Sequence, residues 1–378
     1  MNKALANMPT AIQIDGSQGE GGGQILRTAL ALSMITGQAF ELINIRAGRR
    51  KSGLMRQHLV CVQASQEISQ AYVEGAELHS QRLYFKPQQI KSGKYQFQIG
   101  SAGSTTLVLQ TLLPALLLQN QASELTISGG THNPLAPTAD FIEQCFLPAL
   151  KKLGIEAEFK LNKADFFPVG AGEIYIKIQP WQHRNKLSLL DRGALQSIGA
   201  FAAVLNLAEE AQIAERELVT LNKKLKLDTQ KQFRLNGISQ GNTLYVKIEY
   251  ENNVQLFTAL GEMRKSAEQI ANHLAEQVTQ YMKSNAAVDE YLADQLLLPL
   301  ALGQGGEFTA QCISEHTRTQ AAMIEKFIDC DIEFIELDKT LFQVNVKNAV
   351  FSYAKYCISD KFTDLQLANP NLLYLRVQ

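Results

Sequence analysis

Apolar and polar residues alternate over residues 11–15, the period-two pattern of a half-buried strand, and the alternation runs into the glycine cluster Gly19-Glu20-Gly21-Gly22-Gly23. From Gln24 to Ile35 the period lengthens. Ile25, Leu26, Ala29, Leu30, Leu32 and Met34 gather on one side of a helical spiral, which predicts a helix opening off the glycine loop. A second helix is predicted over 54–71, with Leu59, Val62 and Ile68 inward. The same progression returns about 80 residues later. There residues 95–99 alternate, Gly100-Ser101-Ala102-Gly103-Ser104 turns, and 105–118 reads as a buried helix. Two copies suggest an internally repeated α/β unit, although two similar stretches can also arise by chance.

Further along, 124–128 reads as a strand ending at Gly129-Gly130, and 141–153 as a helix. Between about His183 and Ser284 the texture changes. Charged helical stretches such as 262–283 replace the glycine loops, 242–251 reads as a strand, and the whole segment looks like an inserted domain. Glycine punctuation returns at Gly303-Gln304-Gly305-Gly306, after an apolar run at 296–302. A strand at about 308–313, a helix from about 315 to 328 and a strand at 341–346 follow, and then an aromatic tail whose role the pattern does not define.

Composition changes this picture in few places. The 378 residues carry 36 basic and 37 acidic side chains, a net charge of 36 − 37 = −1, so any contact with a polyanion must be local. With 46% hydrophobic and 19% charged residues the chain can build a real core, and its length allows two or three domain-sized units. The five cysteines, Cys61, Cys145, Cys312, Cys330 and Cys357, form no CxxC pair and have no histidine at zinc-ligand spacing, which points to a reducing compartment. The first ten residues contain only Lys3 as a charge and no sustained apolar stretch, and the apolar runs elsewhere are too short to span a bilayer. A soluble, cytoplasmic protein is expected.

Candidate chemistry begins at the glycine loop. A glycine turn that opens a helix directs free N–H groups and the helix dipole at one point, which suits phosphate. The loop is neither a Walker loop nor the dinucleotide fingerprint, since Gln24 stands where the last glycine would be, and such turns are also common as plain structure. Glu20 within it would suit a divalent cation bridging to phosphate, or is simply a solvated loop carboxylate. Residues 45–58 hold Arg46, Arg49, Arg50, Lys51, Arg56 and His58, a basic patch that could grip nucleotide or RNA phosphate or could be a solvated face. His316 follows a predicted strand and the capping candidate Ser314, which places it in the first turn of a helix. There the dipole favours the neutral, nucleophilic ring, as a covalent phosphoryl or nucleotidyl intermediate requires; a structural histidine is the alternative. Tyr291, Asp294 and Gln295 share one helical face that could stack a base and hold a ribose, or could border an ordinary core.

In this order of motifs the chain resembles the RNA 3′-terminal phosphate cyclases, and more closely the bacterial than the animal members. The resemblance is carried by residues 15–27, 45–49, 53–58, 73–77, Gly100-Ser101-Ala102-Gly103-Ser104, Ser128-Gly129-Gly130-Thr131 and Glu290-Tyr291-Leu292-Ala293-Asp294-Gln295, and it spans about 11–347. It implies an α/β (α+β) fold with a large domain, 1–183 and 285–347, of three similar units, each a four-stranded sheet with two helices. A smaller α/β domain would be inserted at 184–284, and 348–378 would be a C-terminal extension. Enolpyruvyl transferases share this construction, so fold alone does not fix the chemistry.

The resemblance further implies that His316 attacks the α-phosphorus of ATP to form a histidyl-AMP. AMP then passes to an RNA 3′-phosphate, and the neighbouring 2′-hydroxyl displaces it to close a 2′,3′-cyclic phosphate. Gln110 and the run Tyr291, Leu292, Ala293, Asp294 and Gln295 would form the ATP site, with Pro137 and Phe141 beside the adenine. Arg27, Arg46, Arg49, Gln57 and His58 would hold triphosphate or RNA phosphate, and Glu20 would contact Mg²⁺ or Mn²⁺. A non-catalytic, cyclase-like factor in ribosomal RNA processing is the rival, and such relatives lack the nucleophilic histidine. Some positions depart from the family pattern: Ser52 replaces a common proline, Ala171 interrupts a glycine triplet, Gln320 replaces a common asparagine after Thr319, and the tail is longer.

Overall fold

The computed structural model describes residues 11–348, which form four four-stranded sheets. The first unit comprises β1 (Ile12–Asp15), α1 (Gln24–Thr36), β2 (Phe40–Ile43), α2 (Arg56–Ser69), β3 (Tyr72–Glu74) and β4 (Leu83–Lys86). β1 and β2 are parallel, β4 is antiparallel to both β2 and β3, and the spatial order is β1-β2-β4-β3. The second unit repeats the plan with β5 (Lys94–Gln98), α3 (Thr105–Leu117), β6 (Ser123–Gly129), α4 (Ala139–Phe141), α5 (Leu147–Lys152), β7 (Ala157–Lys163) and β8 (Gly172–Ile178), in the order β5-β6-β8-β7.

The third unit opens with β9 (Leu187–Leu189) and is then interrupted. Its interruption contains β10 (Leu195–Leu205), α6 (Ile213–Lys224), β11 (Thr229–Arg234), β12 (Gly241–Tyr250), β13 (Val254–Leu260) and α7 (Ala267–Lys283), whose sheet has the order β11-β10-β12-β13. The unit resumes with α8 (Glu290–Leu302), β14 (Gly306–Ala310), α9 (Glu315–Phe327), β15 (Cys330–Asp338) and β16 (Leu341–Asn348), in the order β9-β14-β16-β15. Three similar units with an α/β insertion are thus present, as the resemblance implied. Residues 187–189 lie inside the span expected to belong to the insertion, yet they pair in parallel with β14. Three residues are too few for an alternating pattern to distinguish a strand from a loop. Of the extension expected at 348–378, Asn348 is instead the last residue of β16, and the rest lies outside the described residues.

The repetition extends to helix interiors. Pro114 and Pro299 are each nine residues past the start of their helices, 114 − 105 = 299 − 290 = 9. Each proline frees the carbonyl four residues earlier, so Gln110 and Gln295 occupy equivalent places. The helix expected at 141–153 is instead α4, a π-helical turn at Ile142–Phe146 and α5. Pro148 enters just after the wide turn, where its missing N–H would otherwise break the helical ladder.

One hydrophobic cluster runs through all three units, from Leu26 and Leu30 on α1 through Leu109 and Leu112 on α3 to Leu296 and Leu300 on α8. The insertion has its own core, in which Ala200 and Val246 of the sheet meet Leu218 of α6 and Leu274 of α7. Its two connections are clamped together. The Arg192 guanidinium lies over the rings of Tyr250 and Tyr281, at 4.7 and 5.1 Å, and donates to the carbonyls of Tyr281, Met282 and Ala286.

Parallel strands fix where chemistry can gather. The turns that follow β1, β5 and β9, and those that follow β2, β6 and β14, lie beyond the strands' carboxyl ends, where helix N-termini converge.

Candidate active site

Ser314 starts α9 by accepting the Thr317 N–H at 3.2 Å, as the sequence predicts for an N-cap. The inward face of α9 buries Ala321, Ile324 and Phe327 in the main core, while His316, in the first turn, is exposed. Its ring is held from one side only. Nδ1 lies 2.7 Å from the Gln24 side-chain oxygen, and Nε2 has no hydrogen-bond partner among the described residues.

Gln24 is itself oriented. Its amide nitrogen donates to Asp294 Oδ1 at 2.8 Å, and longer contacts reach the His316 carbonyl and Gln320 Oε1, each at 3.3 Å. A carboxylate accepts and does not donate, so Asp294 requires the amide nitrogen on its own side and leaves the oxygen for His316. An oxygen there accepts from Nδ1–H, which fixes the tautomer with the lone pair on the exposed Nε2. Gln320 accepts from Thr28 Oγ1 at 2.6 Å as well as from Gln24, and no bond joins it to the His316 ring. It therefore steadies Gln24 and leaves the imidazole to Gln24.

The glycine loop is attached to α9. Gly19 has φ +54°, and a Cβ there would run into the Thr319 side chain, whose hydroxyl accepts the Glu20 N–H at 3.2 Å. Glu20, with a nearly buried side chain, accepts the Gln24 N–H at 3.1 Å through one oxygen and pairs with Arg49 at 2.5 Å through the other. α1 has no side-chain cap at Gly23, so the Glu20 carboxylate serves its first turn from within the loop.

The expected basic residues arrange themselves in two ways. Arg27 and His58 meet at the loop: a Cβ on Gly23 would lie 2.9 Å from Arg27 Nη1 and closer still to His58 Nε2. Burial, together with Arg27 and Arg46 nearby, depresses the His58 pKa to about 3, so the ring is neutral. Its Nδ1 accepts the Met55 N–H at 3.3 Å, which leaves Nε2–H as a donor toward Gly23. Burial also lowers the pKa of Arg27, opposed by Cys61, Glu20 and Asp294, and a guanidinium remains charged through such a shift. Arg46 instead folds back on its own loop, donating to the carbonyls of Lys51 at 2.7 Å and Gly53 at 3.2 Å. Gln57 accepts the Ser104 N–H at 2.7 Å and so ties α2 to the second glycine loop.

On α8, Asp289 caps the helix by accepting the Leu292 N–H, and Tyr291 is 59% exposed. Burial raises the Asp294 pKa to about 6, against hydrogen bonding from Gln24 and the charges of His316 and Arg27. Gln295 accepts from Gln110, joining the two symmetry-related glutamines. Leu292 and Ala293, expected in the nucleotide run, are fully buried, and Phe141, expected beside the base, is buried with 6% exposure. These three are core residues. They are apolar and face inward because α8 and α4 bury the stripe opposite to Tyr291 and Asp294. Pro137 is held at the start of α3 by its carbonyl, which accepts from Thr106 Oγ1 at 2.7 Å.

Among the described residues no three His, Cys, Asp or Glu side chains form a metal cage. Glu20 is a single carboxylate with both oxygens engaged, which fits a Mg²⁺ carried mainly by phosphate oxygens and water and does not fit a resident metal. What the arrangement offers is an exposed, tautomer-fixed imidazole beside a glycine loop, with a buried arginine and a neutral N–H donor adjoining. Gln24 and Asp294 form the chain that orients it. In the sequence Gln24 stands only where a last glycine would be, and its position at the first residue of α1, facing the start of another helix, is a signal visible only in three dimensions.

A model of the family described as RNA 3′-terminal phosphate cyclase matches residues 18–334, and the chain belongs to that family.

Proposed function

Taking membership of the RNA 3′-terminal phosphate cyclase family as premise, we propose that this protein uses ATP to convert an RNA 3′-phosphate into a 2′,3′-cyclic phosphate through a covalent adenylate on His316. The observation that carries the reading is the exposed Nε2 of His316, freed as a nucleophile by the 2.7 Å bond from Nδ1 to Gln24. In the first step Nε2 attacks the α-phosphorus, a P–N bond forms, and pyrophosphate leaves with the P–O bond electrons. As positive charge develops on the ring, Gln24 and the Asp294 carboxylate behind it stabilise it.

A terminal phosphate oxygen of the RNA then displaces His316 from the adenylate, giving a phosphoanhydride whose leaving group is AMP. The adjacent 2′-hydroxyl attacks the RNA phosphorus, loses its proton and expels AMP. A phosphate monoester lacks such a leaving group, which is why activation by ATP is needed. Closure itself requires mainly alignment, because the nucleophile is already attached.

Arg27 and the His58 N–H lie beside Gly23 and would bind phosphate oxygens there, and Arg49 would join them once released from Glu20. A divalent cation, held by Glu20 and substrate oxygens, would supply charge neutralisation at the polyphosphate. The adenine would stack on the exposed Tyr291 and the half-buried Pro137.

Incubation with α-³²P-labelled ATP and Mg²⁺ or Mn²⁺, followed by denaturing electrophoresis, tests this. An acid-labile protein adduct is expected, absent in His316→Asn, and addition of a 3′-phosphorylated RNA should discharge it with formation of a cyclic end. Label persisting in His316→Asn would overturn the nucleophile, and no adduct with any metal would favour a non-catalytic RNA-binding factor.

A further inference from the structure

The mechanism gives no role to the insertion, to the loop 165–170 or to several exposed aromatic side chains, and these meet at one place. The sheet face turned away from α6 and α7 carries Phe201 and Tyr245, stacked at 5.0 Å, and in register beside them Lys231 and, opposite Ala203, Phe233. Toward β13 this face is covered: Leu256 belongs to the main core, and the Tyr245 hydroxyl accepts from Gln144. Toward β11 it is open, with all six residues of that strand exposed and Phe233 38% exposed.

The open face adjoins the second unit. Leu235, on the same side as Phe233, packs with Leu161 and Phe166, the Ala164 N–H donates to the Asn236 carbonyl at 2.7 Å, and the Phe166 N–H donates to Ser239. In the same loop Phe167 is 68% exposed. This loop abuts the second glycine loop, since a Cβ on Gly170 would collide with the backbone of Ser101 and Ala102. That glycine loop touches Gln57, the neighbour of His58, and Arg56 Nη1 lies 3.8 Å from the Cβ position of Gly100. Contacts thus link the segment of Arg56 to the second glycine loop, that loop to the loop bearing Phe167, and residues 164–166 to the end of the strand that carries Lys231 and Phe233. Arg56 and Lys231 have no carboxylate partner among the described residues, whereas Arg234 is taken up by Glu209.

We propose that this surface is a platform for the single-stranded RNA that precedes the reacting 3′ end, with Phe167 and Phe233 stacking bases and Arg56 and Lys231 meeting phosphates. Exposed aromatic faces combined with unpaired cations are the arrangement that binds single strands without reading sequence. A patch meant for an apolar protein ligand would not need the cations, and a wholly electrostatic one would not expose the rings. The net charge of −1 makes such a local path the way this chain can hold RNA beyond its terminal phosphate. The inference rests on the cyclase reading for the identity of its ligand, and it gives the insertion a part in substrate binding.

The test compares a 3′-phosphorylated oligoribonucleotide with a 3′-phosphorylated dinucleotide. In Phe233→Ala, KM for the oligonucleotide should rise roughly tenfold, as loss of one base stack predicts, and in Lys231→Ala roughly threefold. Neither variant should change KM for the dinucleotide or the yield of AMP-labelled protein, and Phe233→Tyr should behave as the wild type. Unchanged oligonucleotide KM in the double variant would overturn the platform and leave the patch to a protein partner. If the wild type forms no adduct and closes no end, the cyclase reading has failed. The platform is then judged separately by anisotropy of a fluorescent 3′-phosphorylated oligonucleotide, whose affinity the double variant must lower at least tenfold.

Discussion

His316 Nδ1 and the side-chain oxygen of Gln24 lie 2.7 Å apart, and the far side of the same amide is held by Asp294 at 2.8 Å. The two contacts make the tautomer of one residue depend on the carboxylate of another through a third. Gln24→Ala should slow formation of the protein–AMP adduct roughly 10- to 100-fold, the range for one hydrogen bond of about 1.5–3 kcal/mol to a group that becomes charged. KM for ATP should change little, because the amide is bonded to His316 and Asp294 and its loss would act through the ring proposed as nucleophile. A single-turnover rate at saturating ATP measures this, and an unchanged rate would remove Gln24 from the orienting chain.

Asp294 gives the chain a pH dependence. Burial lifts its pKa from 3.8 to about 6, so the carboxylate is ionised above that pH and protonates below it. A protonated carboxyl no longer stabilises charge developing on His316 through Gln24. Adduct formation should therefore acquire an acid limb near pH 6, and Asp294→Asn should show a lower plateau from which this contribution is missing. Rapid-quench rates between about pH 5 and 8 distinguish the two profiles.

His58 should behave in the opposite way. With a pKa of about 3 it stays neutral across the working range, so its share of phosphate binding does not titrate. His58→Asn, which can keep an N–H donor near Gly23, should preserve more activity than His58→Ala, and neither should alter the pH profile. A shifted limb in either variant would show that a charged imidazole takes part.

Glu20 occupies both of its oxygens with Arg49 and the Gln24 N–H. A cation entering with the polyphosphate must compete with Arg49 for one of them. Glu20→Ala is expected to slow adduct formation and to raise the Mg²⁺ concentration needed for half the maximal rate, measured by metal titration at fixed ATP. An unchanged metal midpoint would confine Glu20 to bracing the loop.

Glu217 offers a prediction about stability that leaves the site untouched. It is fully buried on α6, accepts one hydrogen bond from Asn242 at 2.7 Å, and leaves Oε2 without a partner. Burial raises its pKa from 4.5 to about 7. The folded state thus binds the proton more tightly than the unfolded chain, and stability falls as pH rises from 4.5 to 7. Glu217→Gln removes that loss. The variant should match the wild type near pH 4 and exceed it by at most about 3 kcal/mol above pH 7, with a correspondingly higher Tm.

Much of the architecture was legible in the chain. The change from period two to a helical period across a glycine cluster places α1 and α3 within a residue of where they lie, and Ser314 announces the start of α9. These features are local: strand, turn and cap each depend on residues that are neighbours in sequence, so the order of residues determines them directly. The π-helical turn before Pro148 and the three-residue β9 were not legible, because one is a compromise with packing and the other is defined by its partner strand.

The chain by itself thus determined the repeated units, the glycine loops, the basic segment and the histidine at a helix start. Only the tertiary structure decided what those residues do together. It joined Gln24 to His316 across 292 positions, turned Arg46 back on its own loop, tied Gln57 to the second glycine loop, and sent Leu292, Ala293 and Phe141 into the core. The physical reason is that a hydrogen bond's direction and a side chain's burial depend on which surfaces three separate units press against one another, and no local pattern carries that information.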